Sequence, residues 1–302
     1  MLAGVTDPLG RLEARTPPMA ALAVAVLAVS TSAILIRYSQ APSLVKAFYR
    51  VLFTVALLAP LALARHRGVL LGLSRRQLGA SAATGVALAV HFAAWFESLE
   101  WTSVAASVTL VQSQPLFVAI GAFLLLGERL SRRIAAGIAV ALGGMAAMTV
   151  PGAALTGADP VLGNALAVLG AVMMAGYVLA GRSLRQEVAL VPYVTVVYSV
   201  CAAVLLALAI GDGTAVWLGA YPPREWLLFL AMAVGPGLLG HTVINWALEH
   251  VESSVVSVTL LGEPVGSTVL AVVLLAEVPG LPTVVGGLIV LAGIYLTATA
   301  RA

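Results

Sequence analysis

The sequence predicts an all-α integral membrane protein of ten transmembrane helices, arranged as two inverted-topology five-helix repeats. Three observations carry that prediction. First, of 302 residues 61% are hydrophobic and only 10% are charged, with a mean hydropathy of +1.05. A soluble domain carries roughly 25% charged residues, so no soluble core can hide this much apolar surface. Second, apolar runs of roughly 18 to 24 residues recur ten times, each long enough to cross about 30 Å of hydrocarbon. Third, the second half of the chain repeats the first at a constant offset of 149 residues.

The ten runs cover 18–38, 44–64, 77–97, 103–126, 134–150, 161–181, 191–210, 225–246, 253–276 and 282–300. Short linkers between them hold most of the glycine, proline and charge. Residues 1–17 read as a cytoplasmic N-terminal segment. The first run is itself long enough to span, which speaks against a cleaved signal peptide. The repeats then occupy 18–150 and 151–302.

Orientation follows from Lys and Arg. With the N-terminus in the cytoplasm, twelve of the sixteen basic residues fall on the inside, from Arg11 to Arg301. Only Arg224 falls in an outside loop; Arg37, Lys46 and Arg50 lie within spans near their outer ends. Such a bias places both termini in the cytoplasm and the protein in the inner (plasma) membrane. It also accounts for the net charge of +3 without a nucleic-acid partner. The single Cys201 lies in an apolar run and supports neither a disulfide framework nor a cysteine metal site.

At the 149-residue offset Glu100 meets Glu249, Pro115 meets Pro264, Glu128 meets Glu277 and Gly144 meets Gly293. Five spans per half is odd, so the second half enters the bilayer with opposite orientation. That is the architecture of alternating-access carriers, whose sites lie at the midplane where helices break at equivalent positions. Pro115 and Pro264 are such breaks, and they free the carbonyls of Val111 and Leu260. Pro236 and Gly237 interrupt span 8 and read as a further hinge.

The midplane polar residues are the candidate cavity. Glu263 leads, because an ionisable group there costs about 2.5–3.5 kcal/mol and faces a cavity or a partner. Thr259, Glu263 and Ser267 form one i, i+4, i+8 stripe. Binding a substrate amine, carrying a proton and bonding a neighbouring helix are three roles that fit Glu263. Its repeat mate is Gln114. Gln112 lies about 200° around a continuous helix from Gln114, so only one of the two is expected to face the cavity squarely. His91 and Trp95 on span 3, His241, Asn245 and Trp246 on span 8, Tyr177 on span 6 and Ser32 on span 1 complete the set. An interfacial anchor is the competing reading for the tryptophans. Lys46 and Arg50, one turn apart near the outer end of span 2, read as snorkelling residues, with attraction of anionic groups or an outer-gate latch as the functional reading of Arg50. Glu128, beside Arg129, Arg132 and Arg133, reads as an interfacial salt bridge or a gate latch. Gly137, Gly143, Gly144, Gly286, Gly287 and Gly293 permit close helix packing, within one protomer or in a homodimer.

The segments SLEWTSVAAS, Pro115, LLLGERL and Gly143-Gly144, with ALEHVESSVVS, LGEP and GGLIVLAG in the second half, resemble the drug/metabolite transporter superfamily and its ten-span EamA-type members. APSLVKAFYRVLF is similar to that family's second span. The resemblance implies transport of small metabolites, often amino acids, and admits a YddG-like exporter, although no motif fixes that subtype. In the second half AEVP stands where LLLGERL places Gly and Arg, so that motif is not duplicated.

The residues themselves favour a secondary carrier of small zwitterionic or neutral solutes. They offer Gln, Asn, His, Tyr, Ser/Thr and one Glu, with no midplane Lys/Arg cluster for a phosphorylated substrate. Other small metabolites or drugs remain as substrates, and a non-transporting scaffold or receptor is the rival class. No nucleotide-binding loop, nucleophile–base pair or metal set is present, so neither an enzyme nor a cofactor is expected.

Overall fold

The computed structural model describes residues 16–102, 107, 110–149, 158–275 and 280–300. Every regular element among them is helical. In chain order these are α1 (Pro18–Tyr38), α2 (Ser43–Arg65), the short α3 (Arg67–Leu71), α4 (Arg75–Trp101), α5 (Gln114–Leu125), α6 (Arg132–Thr149), α7 (Pro160–Leu184) and α8 (Leu190–Gly211). Then follow α9 (Pro223–Met232), the wide-turned π-segment α10 (Ala233–Thr242), α11 (Val243–His250), α12 (Ser253–Thr259), α13 (Gly262–Leu275) and α14 (Leu281–Ala298). Eight stretches are long and apolar enough to cross a membrane, counting α9–α11 as one and α12–α13 as one. The shorter α5 and the 18-residue α6 occupy the places of spans 4 and 5.

Local chemistry sets several ends. Proline opens α1, α7, α9 and α14, where its missing N–H costs nothing. Asp159 caps α7 by accepting from the Leu162 N–H, and Ser74 with Gln77 forms a capping box at α4.

Helix pairing follows the sequence repeat. α4 packs along α7, and its repeat counterpart, α10–α11, packs along α1. α2 pairs with its own mate α8, and α6 with its own mate α14. The α6–α14 seam depends on glycine. A Cβ on Gly144 would lie 2.6 Å from the Val290 nitrogen, and one on Gly293 2.5 Å from the Ala141 nitrogen. Gly137 likewise abuts Thr297. These three glycines are therefore used within one protomer, whereas Gly143 faces open space. The main core lies among α1, α2, α4, α7, α8 and α11, around buried Phe92, Tyr177 and Tyr193.

Candidate functional site

Both prolines interrupt their helices, and the break lies two to four residues ahead of each. Gln112 and Ser113 form a turn between the helical residue Val111 and α5; Leu260 and Leu261 form the equivalent turn between α12 and α13. The Leu260 carbonyl that Pro264 cannot engage accepts from the Glu263 N–H at 2.9 Å. Ser113 N–H and Oγ both donate to the Leu110 carbonyl, at 3.1 and 2.5 Å.

A cavity of about 50 Å³, room for a few water molecules, sits at these two breaks. Its walls follow the repeat. Phe92 and His241, Trp95 and Ile244, Val111 and Leu260, Gln114 and Glu263 are all pairs at the 149-residue offset, and all eight line it. The cavity thus lies on the pseudo-two-fold relationship between the halves. Phe92 and His241 touch each other edge to face, with ring centroids 5.8 Å apart.

Of the sequence candidates, Glu263, Gln112, Gln114, His91, Trp95, His241 and Ser32 line the cavity. Gln112 and Gln114 both do so. The expectation that only one would face it assumed a continuous helix, and the turn at Gln112–Ser113 removes the 200° separation. Gln112 and Glu263 thus face each other across the cavity. His91 Nδ1 bonds the Gly170 carbonyl at 2.9 Å, and its ring stacks on Trp95.

Five candidates lie elsewhere. Tyr177 and Asn245 are fully buried behind the wall, where the Asn245 amide donates to the hydroxyls of Tyr177 and Tyr198 and, at 2.7 Å, to the His241 carbonyl. Trp246 packs on His250, near the end of α11. Thr259 returns its hydroxyl to Val255, and Ser267 donates to the Ser30 carbonyl at 3.0 Å. The i, i+4, i+8 stripe therefore does not line the cavity as a unit. Ser267 and Gly266 serve the contact with α1, where a Cβ on Gly266 would meet Ser30 Oγ at 2.2 Å.

Arg50 is the largest departure from the sequence reading. It does not reach the interface. It stands two turns inside α2, 5% exposed, with its guanidinium carbon 4.2 Å from the Phe92 ring centroid, and it lines the cavity. Among the described residues no carboxylate lies within ion-pair distance of it. Lys46 bends back to the Ile36 carbonyl at 3.4 Å, a cation at the C-terminus of α1.

Pro236 and Gly237 fall inside the π-segment. Thr54 of α2 donates to the Ala233 carbonyl there at 3.2 Å, and a Cβ on Gly237 would lie 2.3 Å from Thr54 Oγ1.

One membrane face carries Arg65, Arg75, Arg129 and Arg185, and here α7 and α11 are joined. Glu128 accepts from Ser253 N–H and Oγ at 3.1 and 3.0 Å, and pairs with Arg182 Nε at 3.3 Å. Its partner is thus an arginine of α7, not its neighbours Arg129, Arg132 or Arg133. Arg182 also donates to the Leu248 and Glu249 carbonyls. Arg185, only 3% exposed, bonds the Asn245 and Val188 carbonyls and pairs with Glu249. The C-terminus of α7 therefore clamps the C-terminus of α11. In the repeat, that clamp corresponds to a contact between the C-termini of α1 and α4 at the opposite face. The side chain of Glu100, the repeat mate of Glu249, lies outside the described residues. At that face α1 is tied to α9, through Ser39 and the Gln40 N–H on Glu225. In the orientation count Arg182 and Arg185 serve topology alone; their spacing, one turn apart at a span end, is the signal in the sequence that points to a shared task. Glu277, the repeat mate of Glu128, lies outside the described residues.

The EamA-like transporter family profile matches the chain twice, over residues 17–150 and 161–299. The chain belongs to the EamA-like transporter family. A protein of known crystal structure shares this EamA fold, with a TM-score of 0.80 over 94% of this chain and 97% of its own, at 22% identity. No curated protein shows significant sequence similarity to the chain. This EamA protein is a multi-pass membrane transporter of the drug/metabolite type.

Proposed function

We propose that this EamA protein is a secondary transporter of small zwitterionic metabolites, with amino acids as the substrate class, working by alternating access around the cavity. One observation carries the reading: Arg50 and Glu263 line the same buried space with opposite charges. A guanidinium offers several donors to a carboxylate, and the glutamate accepts from an ammonium group. Desolvating either charge unpaired is costly, so a solute carrying both complementary charges fits where a neutral or singly charged one does not. His91, Phe92 and Trp95 supply an apolar wall for the rest of the molecule.

The α7–α11 clamp on the basic face supports one half of the cycle. In the other half, exchange of the two repeat geometries would release the α7–α11 clamp and close α1 onto α4. With the arginine-rich face in the cytoplasm of an inner-membrane protein, the cavity then serves the outside in this state. Export is the direction we favour, on family resemblance.

The test is uptake and counterflow in proteoliposomes with a panel of labelled amino acids, with and without a proton gradient. Saturable movement of at least one of them is expected. Failure of every amino acid, alongside movement of an uncharged or anionic metabolite, would overturn the substrate class.

A further inference from the structure

The loop RHRGVLLGLSRR, Arg65 to Arg76, takes no part in the cavity or the clamp. It joins α2 to α4 through the short α3 on the basic face. Four arginines occupy twelve residues, and no acidic residue occurs anywhere from Ala14 to Phe96. Arg65, Arg67, Arg75 and Arg76 are all exposed. Among the described residues none of them makes an ion pair.

Two features separate this loop from a simple topology signal. Two of its apolar residues point outward: Leu71 is 77% and Val69 46% exposed, beside the arginines, while Leu73 packs on the core. And Arg75 and Arg76 stand in the first turn of α4, where the helix dipole disfavours cations. Helix stability does not account for them. The loop on the opposite face that corresponds in the repeat carries Asp212, Arg224 and Glu225, and so lacks this single-sign charge.

We infer that this loop is a binding surface for anionic phospholipid in the leaflet of the basic face. The arginines meet the headgroup phosphates, and Val69 and Leu71 enter the acyl boundary beside them. Charge complementarity selects an anionic headgroup, and the apolar residues select a lipid over a soluble acidic partner.

The experiment is native mass spectrometry of the full-length protein in detergent, titrated with phosphatidylglycerol or phosphatidylethanolamine. Phosphatidylglycerol is expected to remain bound while phosphatidylethanolamine is lost. Arg75→Gln with Arg76→Gln should weaken retention by about fivefold per arginine. Arg129→Gln with Arg132→Gln, elsewhere on the same face, should leave it unchanged. Leu71→Ser should lower affinity without changing its salt dependence. Equal retention of the two lipids, equal loss in both arginine pairs, or equal displacement by soluble polyglutamate in the wild type and Leu71→Ser would each overturn the assignment. All the substitutions are at exposed positions, and thermal unfolding confirms that each variant is folded before lipid is added.

Discussion

The guanidinium of Arg50 lies over the ring of Phe92, 4.2 Å from its centroid, inside a membrane protein's core. The ring face offsets part of the desolvation of the cation while leaving its N–H donors for a ligand. A cation held this way is positioned rather than neutralised. Arg50→Lys keeps the charge but loses the planar fork, so KM for a zwitterionic substrate should rise about tenfold with little loss of folded protein. Phe92→Leu should weaken binding by about 1 kcal/mol. Counterflow in proteoliposomes reads both.

Glu263 tests whether the remaining charge binds or couples. Glu263→Gln keeps the shape and removes the charge. If the carboxylate holds the substrate amine, exchange should fall by tenfold or more with and without a gradient. If it carries the proton, exchange should persist while gradient-driven uptake is lost.

The clamp predicts a shift in access. Arg185→Gln removes the pair with Glu249, and Glu128→Gln removes the pair with Arg182. Either should raise the labelling rate of a cysteine placed at Met174 by a membrane-impermeant reagent added to the basic face. Unchanged labelling in both variants would show that the clamp is not the barrier.

The α6–α14 seam predicts stability without function. Gly144→Ala puts a methyl group 2.6 Å from backbone, so the helices must separate. A loss of about 1–3 kcal/mol is expected, seen as a lower Tm. Gly143→Ala, facing open space, should leave Tm unchanged.

The two helix breaks predict a kinetic effect. Pro264→Ala restores an N–H and lets α12 run into α13. The turnover rate should fall while the protein unfolds at the same or a higher temperature. Pro115→Ala, its repeat mate, should act in the same direction.

Much of the fold was legible because the bilayer enforces it. Backbone groups in hydrocarbon must bond internally, so long apolar runs are helices, and repeated Pro, Glu and Gly positions exposed the two halves. The pairing of mates across the halves and the placement of the cavity at the two proline breaks also follow from that repeat. Glu263 and Gln114 stood out for the same reason: polar groups are scarce where lipid surrounds them.

What the sequence could not decide was direction. For Arg50 the sequence leaves snorkelling and a functional role side by side, because its distance from the span end is known from sequence but its partner is not. Only the packing of α4 against α2 placed Phe92 beneath it and turned it inward. Gln112 and Gln114 shared one cavity only after the helix broke between them and α12 came near. Ser267 and Asn245, polar and central, were spent on neighbouring helices. Composition and periodicity determine that a helix crosses the membrane and where it must break. Which face of it meets a cavity, and which arginine holds a gate, is set by the other helices. Burial of a polar group is decided by what lies across from it, and that is a tertiary fact.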